Sequence, residues 1–270
     1  MLYNKDQIIT ALKTVATALG VLKDRVMFVG GAVVPLYVSN EAAPHIRPTV
    51  DVDLVFEIAS EFELEIIRQS LAARKICAAM DQQVICRFRF KDILIDVMST
   101  EAVGWAPANP WFKLGFKNAI PNELDDHVIQ LMPVAHFLAS KFTAFNNKGE
   151  DPRINHDFED IIYIIDNRDA IVHDILSAES KVGDFLKNQS SRILSDRSFQ
   201  EAVRGHLEPA TQEERYQMFV NKLNSLLKCR QLNLFITDHI SNKNIRQRMH
   251  NPHQHKYRDV AEKFNHHPGD

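Results

Sequence analysis

Glycine is scarce in this chain, which has 9 glycines among 270 residues, whereas average proteins contain about 7% glycine. Two of the nine are nevertheless adjacent, at Gly30 and Gly31. A scarce residue that occurs twice in succession indicates a backbone requirement that other residues cannot meet. A lone glycine pair can also mark an ordinary turn, so the interpretation depends on the residues around it.

Cysteine is scarce as well. Cys77, Cys86 and Cys229 are widely spaced, form no CxxC pair and are odd in number, which argues against a disulfide framework. We expect all three to be buried apolar residues.

Long apolar runs and a large net charge are both missing. No run reaches the ~18 residues that span a bilayer, and the N-terminus predicts an amphipathic helix rather than a secretory signal. We therefore expect a cytoplasmic protein with no membrane partner. The formal net charge of -3 and the pI near 6.5 provide no general basic field, so binding to nucleic acid would require a local basic patch.

The glycine pair lies between a predicted strand and a predicted helix. Met27, Phe28 and Val29 are strand formers, and residues 32–37 are compatible with a helix. Phosphate oxygens can reach the backbone amides at such a turn, because glycine has no side chain in the way. The sequence therefore predicts a phosphate cradle at Gly30 and Gly31.

Three carboxylates are predicted to converge. On a strand over residues 50–56, Asp51 and Asp53 point to the same face because successive side chains alternate. Asp96 interrupts an apolar run over residues 93–98, where an unpaired charge would be costly. Because like charges repel unless a divalent cation neutralises them, we expect Mg²⁺ at this point. A lone Asp-x-Asp is more often a solvated strand face, so the combination carries the interpretation.

These motifs together resemble the signature of a known superfamily. Gly30-Gly31, the stretch Arg47-x-Thr49-x-Asp51-x-Asp53-Leu54 and Asp96 resemble the DNA polymerase β nucleotidyltransferases. More narrowly, they resemble the AbiE-type (AbiEii/AbiGii) toxin branch, in which a basic residue and a Ser or Thr precede the Asp pair. The gap between the glycines and the Asp pair is longer than in the shortest superfamily pattern.

A second block of the resemblance lies further along the chain. Pro133 opens a predicted helix that carries Lys141, and the next helix presents Asp157 and Asp160, in the order found in the AbiE-type branch. The position before the first of these acids, which is usually basic in the branch, is His156. The resemblance implies that the lysine holds the triphosphate and that the acids support the site. Without the first block, an exposed lysine and a dipole-favoured acid would explain the same residues.

The patterns and the resemblance predict an α/β (α+β) fold. We expect a mixed-sheet nucleotidyltransferase palm with flanking helices over residues 1–125, a helical domain over 126–240 and a polar, basic and His-rich tail over 241–270. Apolar periodicity predicts helices over 6–19, 171–178, 182–194 and 211–228, and strands over 84–90, 93–98 and 113–120.

The resemblance implies an enzyme that moves NMP from an NTP to a hydroxyl acceptor and releases pyrophosphate. Asp51, Asp53 and Asp96 would hold two Mg²⁺ ions, Asp96 would be the general base, and Lys141 would also act in catalysis. The expected NTP-binding residues are Gly30, Gly31, Thr49, Lys141, Asp157 and Asp160.

The acceptor is the least determined part of the hypothesis. We favour a toxin-type enzyme acting on tRNA, with a possible cognate antitoxin protein as partner. Protein nucleotidylylation (AMPylation), small-molecule nucleotidylation and a catalytically silent NTP-binding module stay open. Residues 242–270 contain three acids, five histidines and six basic residues, which favours RNA. The basic residues are Lys243, Arg246, Arg248, Lys256, Arg258 and Lys263. The cluster His250, His253 and His255 could bind a metal, but a solvated tail is the simpler interpretation.

Overall fold

The structure is a computed structural model that describes residues 4–39, 43, 46–80 and 85–228. Its strands are β1 Val26–Val29, β2 Asp51–Phe56, β3 Cys77–Ala78, β4 Arg87–Phe90, β5 Ile93–Ser99, β6 Ile120–Leu124 and β7 His127–Leu131. In this part of the chain they form one seven-stranded sheet with the order β3-β4-β5-β2-β1-β7-β6. β2 is parallel to β5 and β1 is parallel to β7, while the other neighbours are antiparallel.

Helices flank this mixed sheet, so the predicted α/β fold class is confirmed. They are α1 Lys5–Leu19, α2 Glu61–Ala73, α3 Phe112–Lys117, α4 Val134–Lys148, α5 His156–Asn167, α6 Ile171–Leu176, α7 Ser180–Ser195, α8 Arg197–His206 and α9 over residues 212–228. None of the helices in the described ranges combines the length and the apolar character needed to cross a bilayer.

The centre of the sheet follows directly from the sequence. β1 is buried along its whole length, because it lies between β2 and β7 and is covered on both faces. In β2 the buried Val52 and Leu54 alternate with the partly exposed Asp51 and Asp53, so the predicted alternation is confirmed. β2 also brings its two acids beside β5, where Asp53 is the direct neighbour of Asp96.

The helices that carry the second block of motifs begin where the sequence predicts. Pro133 occupies the position before α4, where its missing N–H costs nothing because a helix start leaves that group unpaired. The side chain of Asn155 accepts a hydrogen bond from the amide of Phe158 and so caps α5. These two starts set the positions of Lys141 on α4 and of Asp157 on α5.

The strand predicted over residues 113–120 is wrong. Residues Phe112–Lys117 form α3, and strand β6 begins only at Ile120. The buried residues Phe112 and Gly115 are three positions apart, which is helical spacing. Gly115 also packs closely on Met132, since a Cβ at this glycine would lie 2.5 Å from the methionine Cε.

Two smaller expectations also change, and one helix is new. The run after the glycine pair is a 3₁₀ helix, Gly31–Tyr37, and contains Pro35. Cys77 is exposed at the short edge strand β3 rather than buried, whereas Cys86 is buried and Cys229 lies outside the described residues. Helix α8 was not predicted.

Residues 1–226 form one compact unit. Residues 229–270, which include the predicted basic tail, lie outside the described residues. The predicted boundary between residues 125 and 126 falls in the turn of the β6–β7 hairpin, and both strands of this hairpin belong to the sheet. The division into a palm and a helical domain stays a prediction.

Removing the cap of α5 should lower stability. Asn155 is fully buried, and its side chain also donates to Glu150 Oε2 at 2.6 Å. We expect Asn155→Ala to reduce the free energy of unfolding by about 1–2 kcal/mol in urea titrations. The matched variant is Asn4→Ala, which removes the exposed cap of α1 and should cost less because water can replace it. Equal losses in the two variants would contradict this account.

Candidate active site

The three predicted acids are neighbours in the sheet. Asp51 and Asp53 share one face of β2, and Asp96 lies on β5 directly beside Asp53. Burial, followed by repulsion from the other two carboxylates, raises the pKa of Asp53 well above its ordinary value. Burial and repulsion from Asp96 also raise the pKa of Asp51. Three acidic side chains therefore lie together at this point of the sheet, and ionising all of them at once is unfavourable without a positive charge nearby.

An arginine that sequence reasoning missed lies between two of these acids. Arg87 on β4 donates from Nε to Asp96 Oδ1 at 2.7 Å and from Nη2 to Asp96 Oδ2 at 2.7 Å. The same Nη2 donates to Asp51 Oδ2 at 2.6 Å. The hairpin pattern contained a signal for this contact, because Arg87 alternates with the apolar residues of β4 and lies opposite Asp96 in the register.

The glycine pair makes room for side chains of the site. Gly30 has φ +75°, and a Cβ there would lie 1.7 Å from Asp53 Oδ2. A Cβ at Gly31 would lie 2.9 Å from both Arg47 Nη2 and Thr49 Oγ1. A side chain at either glycine would therefore displace neighbouring side chains of the site. Their role in cradling phosphates stays a prediction.

A second charged network joins α4 and α5 to the segment before β2. Lys141 Nζ lies 2.9 Å from Asp157 Oδ1 and 2.8 Å from Asp160 Oδ2, so two of its three N–H donors are committed. Lys148 donates to Asp157 Oδ2 at 2.8 Å. Arg47 makes a two-point contact with Asp160, at 2.7 Å for each bond. Sequence reasoning placed the two acids and Lys141 together but missed Lys148 as a member.

Lys141 and Asp157 keep their charges in this network, because each is paired with groups of the opposite sign. Although burial lowers it, Asp160 and Asp157 raise the pKa of Lys141 above its ordinary value. Although burial raises it, Lys141 and Lys148 lower the pKa of Asp157. Lys141 is therefore a buried, fixed cation and is not the exposed helix lysine of the simpler interpretation.

One cleft of about 440 Å³ collects most of the predicted site. Of the predicted residues, those that line it are Gly30, Gly31, Thr49, Asp51, Asp53, Lys141 and Asp157. Arg47, Lys148, Asn109 and Ser140 line it as well and were not predicted as site residues. The predicted residues Asp96 and Asp160 are not part of its lining.

The carboxylates fit a divalent ion only in part. Within the described ranges, no group of three or more His, Cys, Asp or Glu side chains has the arrangement of a metal site. Arg87 occupies the space between Asp51 and Asp96, so the three acids do not form one open ligand set. Asp51 and Asp53 both line the cleft and repel each other, which fits a cation between them. The roles assigned to the three acids stay predictions.

Comparisons with known proteins agree with the fold. No protein-family model and no curated protein matches this chain. A solved structure of an antigenic nucleotidyltransferase-like protein from Paracoccidioides brasiliensis matches with TM-score 0.50 and 15% identity, over 77% of this chain and 97% of that chain. This chain has a nucleotidyltransferase-like fold.

A second solved structure also resembles this one, although more distantly. The antibiotic-resistance factor ANT(2'')-Ia matches with TM-score 0.42 and 11% identity, over 69% of this chain and 93% of that chain. A likeness of this size supports no conclusion about function.

A methyl group at Gly30 should displace the carboxylate of Asp53. We expect Gly30→Ala to reduce the free energy of unfolding by about 2–4 kcal/mol, because it combines backbone strain with a steric clash. The matched variant is Gly20→Ala, which has φ +54° and no atom within 4 Å of its Cβ, so it reports the backbone strain alone. Urea titration measures both. A loss no larger at Gly30 than at Gly20 would contradict the close approach.

Proposed function

We propose that this protein is a nucleotidyltransferase that moves NMP from an NTP to a hydroxyl group and releases pyrophosphate. One observation carries the proposal: Gly30 and Gly31, the Asp51–Asp53 pair and Lys141 come from three separate segments and line a single cleft. Negative groups suited to a divalent ion and positive groups suited to a triphosphate are therefore adjacent. The fold agrees with this chemistry, although the fold alone does not establish it.

The sheet side of the cleft would hold the metal. A divalent ion, when bound, supplies positive charge that stabilises the α-phosphate during displacement. Asp51 and Asp53 would hold it, because they are carboxylates on one strand face and both line the cleft. Their burial keeps water away and strengthens the interaction with a cation.

The helix side of the cleft would hold the triphosphate. Lys141 is fixed by two carboxylates and keeps its charge, so it can neutralise phosphate oxygens without being reorganised. Lys148 lines the same wall with its side chain half exposed, which leaves it accessible to the β- and γ-phosphates. Gly30 and Gly31 also line the cleft, and their backbone amides would donate to the phosphates.

The acceptor in this proposal is RNA, and tRNA in particular, which makes the protein a toxin-type enzyme with an antitoxin partner. Two features of the sequence support this choice. The stretch Arg47 to Leu54 and the order Lys141, Asp157, Asp160 resemble the AbiE-type branch, and residues 242–270 carry a local excess of basic side chains. Those terminal residues lie outside the described part of the structure.

Replacing one metal ligand should stop the reaction without unfolding the protein. We expect Asp53→Asn to abolish transfer of labelled NMP, because the change keeps the volume and removes a ligand charge. Asp125→Asn is the matched variant, since it alters an exposed aspartate in the β6–β7 turn that is paired only with Lys13 in the described structure. Activity of Asp53→Asn within about tenfold of wild type, a ~1.4 kcal/mol effect, would exclude Asp53 as a ligand.

The acceptor can be identified by labelling. The purified protein is incubated with each labelled NTP, Mg²⁺, total tRNA and a cell lysate, and we expect label on tRNA. Deleting residues 242–270 should weaken that labelling and flatten its salt dependence, because fewer counterions are released on binding. Undiminished tRNA labelling by the truncated chain would remove the tail from the proposal. Label found only on polypeptide would replace RNA with protein nucleotidylylation.

A further inference from the structure

The hydrogen bonds from Arg87 to Asp51 and Asp96 affect how many metal ions the site can bind. Both oxygens of Asp96 accept hydrogen bonds from this guanidinium, and one oxygen of Asp51 accepts a third. The side chains of all three residues are 15% exposed, so little water competes for these bonds. A guanidinium bound in this two-point geometry forms the stronger kind of ion pair.

Pairing of the strands places Arg87 beside Asp96. Arg87 and Asp96 are direct cross-strand partners in the β4–β5 hairpin, and Asp96 is the direct neighbour of Asp53 on β2. Strand register, rather than a loop, therefore sets the positions of Arg87, Asp96 and Asp53. A rigid placement of this kind makes the guanidinium a permanent part of the acidic cluster.

The charges of the cluster balance with one ion. Asp51, Asp53 and Asp96 carry three negative charges when ionised, and Arg87 cancels one of them. A single divalent ion then neutralises the remaining two, whereas a second ion would leave the cluster strongly positive. The space between Asp51 and Asp96, where that second ion would need its ligands, is filled by the guanidinium.

We propose that this site binds a single divalent ion, held by Asp51 and Asp53, and that Arg87 replaces the second ion by neutralising Asp96. This inference rests on the proposed function and narrows it, because it departs from the two-ion arrangement that the sequence motifs imply. Arg87 is a positioning residue here: it fixes the orientation of Asp51 and Asp96 through the three hydrogen bonds.

The number of ions can be counted with Mn²⁺ alone. Free Mn²⁺ gives an electron paramagnetic resonance signal that is lost on binding, so a titration of the full chain without nucleotide yields the ions bound per chain. We expect one for wild type and two for Arg87→Gln, because removing the guanidinium opens the Asp51–Asp96 side of the cluster. Arg87→Lys retains the charge and should still bind one.

Arg68→Gln is the matched control. Arg68 makes the same two-point contact, at 2.7 Å for each bond, with Glu65 on the exposed surface of α2. The Arg68→Gln variant should bind one ion, as we expect of wild type. Two ions bound to wild type, or none, would overturn the proposal, whereas the proposed function is tested separately by the transfer activity of Asp53→Asn. Should Arg87→Gln not fold, wild type and Arg87→Lys still decide the stoichiometry.

Thermal unfolding provides a readout that does not depend on activity. In EDTA, Arg87→Gln should melt about 5–10 °C below wild type, because Asp51 and Asp96 then lack a counter-ion. Saturating Mn²⁺ should remove most of this difference, since ions replace the missing charge. Arg68→Gln should have the same melting temperature as wild type in both conditions. A deficit of Arg87→Gln that is the same with and without Mn²⁺ would contradict the proposed substitution of an ion by the guanidinium.

Discussion

Three carboxylates meet at adjacent positions of neighbouring strands, and the fold has to neutralise them where water has little access. Unpaired, such charges would be protonated or would destabilise the sheet. Arg87 resolves most of this conflict, because one guanidinium bonds to both Asp51 and Asp96. Asp53 is left with its pKa raised by burial and by the other acids. Under the proposed function, a divalent ion would supply the positive charge that Asp53 lacks.

On the helical side of the cleft, buried positive charges are neutralised by carboxylates. Lys141 is buried on α4, and its ammonium is held by Asp157 and Asp160 of α5. Arg47 and Lys148 complete the network, so three cations share two acids. Burying such charges is costly, and good geometry offsets this cost without adding much stability. The network therefore holds α4, α5 and the segment before β2 in one arrangement, and the surplus of positive charge lies at the wall of the cleft.

Local patterns in the sequence predicted what depends on local geometry. Strand alternation placed Asp51 and Asp53 on one face, and helix-start signals placed α4 and α5, because both depend on residues a few positions apart. The partner of Asp96 was missed although the alternation in β4 hints at it, because the contact also depends on the register of β4 against β5. The contact between Arg47 and Asp160 joins residues 113 positions apart, and no spacing pattern reports such a pair. Packing also overrode the expected strand at α3, where the small Gly115 lies against Met132.

The two charged networks act on each other across the cleft. Burial and repulsion from the other acids raise the pKa of Asp53, whereas the positive charge of Lys141 lowers it. The charge on one network therefore affects the protonation of the other. A free triphosphate would be attracted by Lys141 and Lys148 but repelled by Asp51 and Asp53. A free cation would be attracted by the two acids but repelled by the two lysines. A triphosphate that carries a divalent ion presents negative oxygens to one wall and positive charge to the other. Under the proposed function, the polarity of the cleft would therefore favour the metal–nucleotide complex over either component alone.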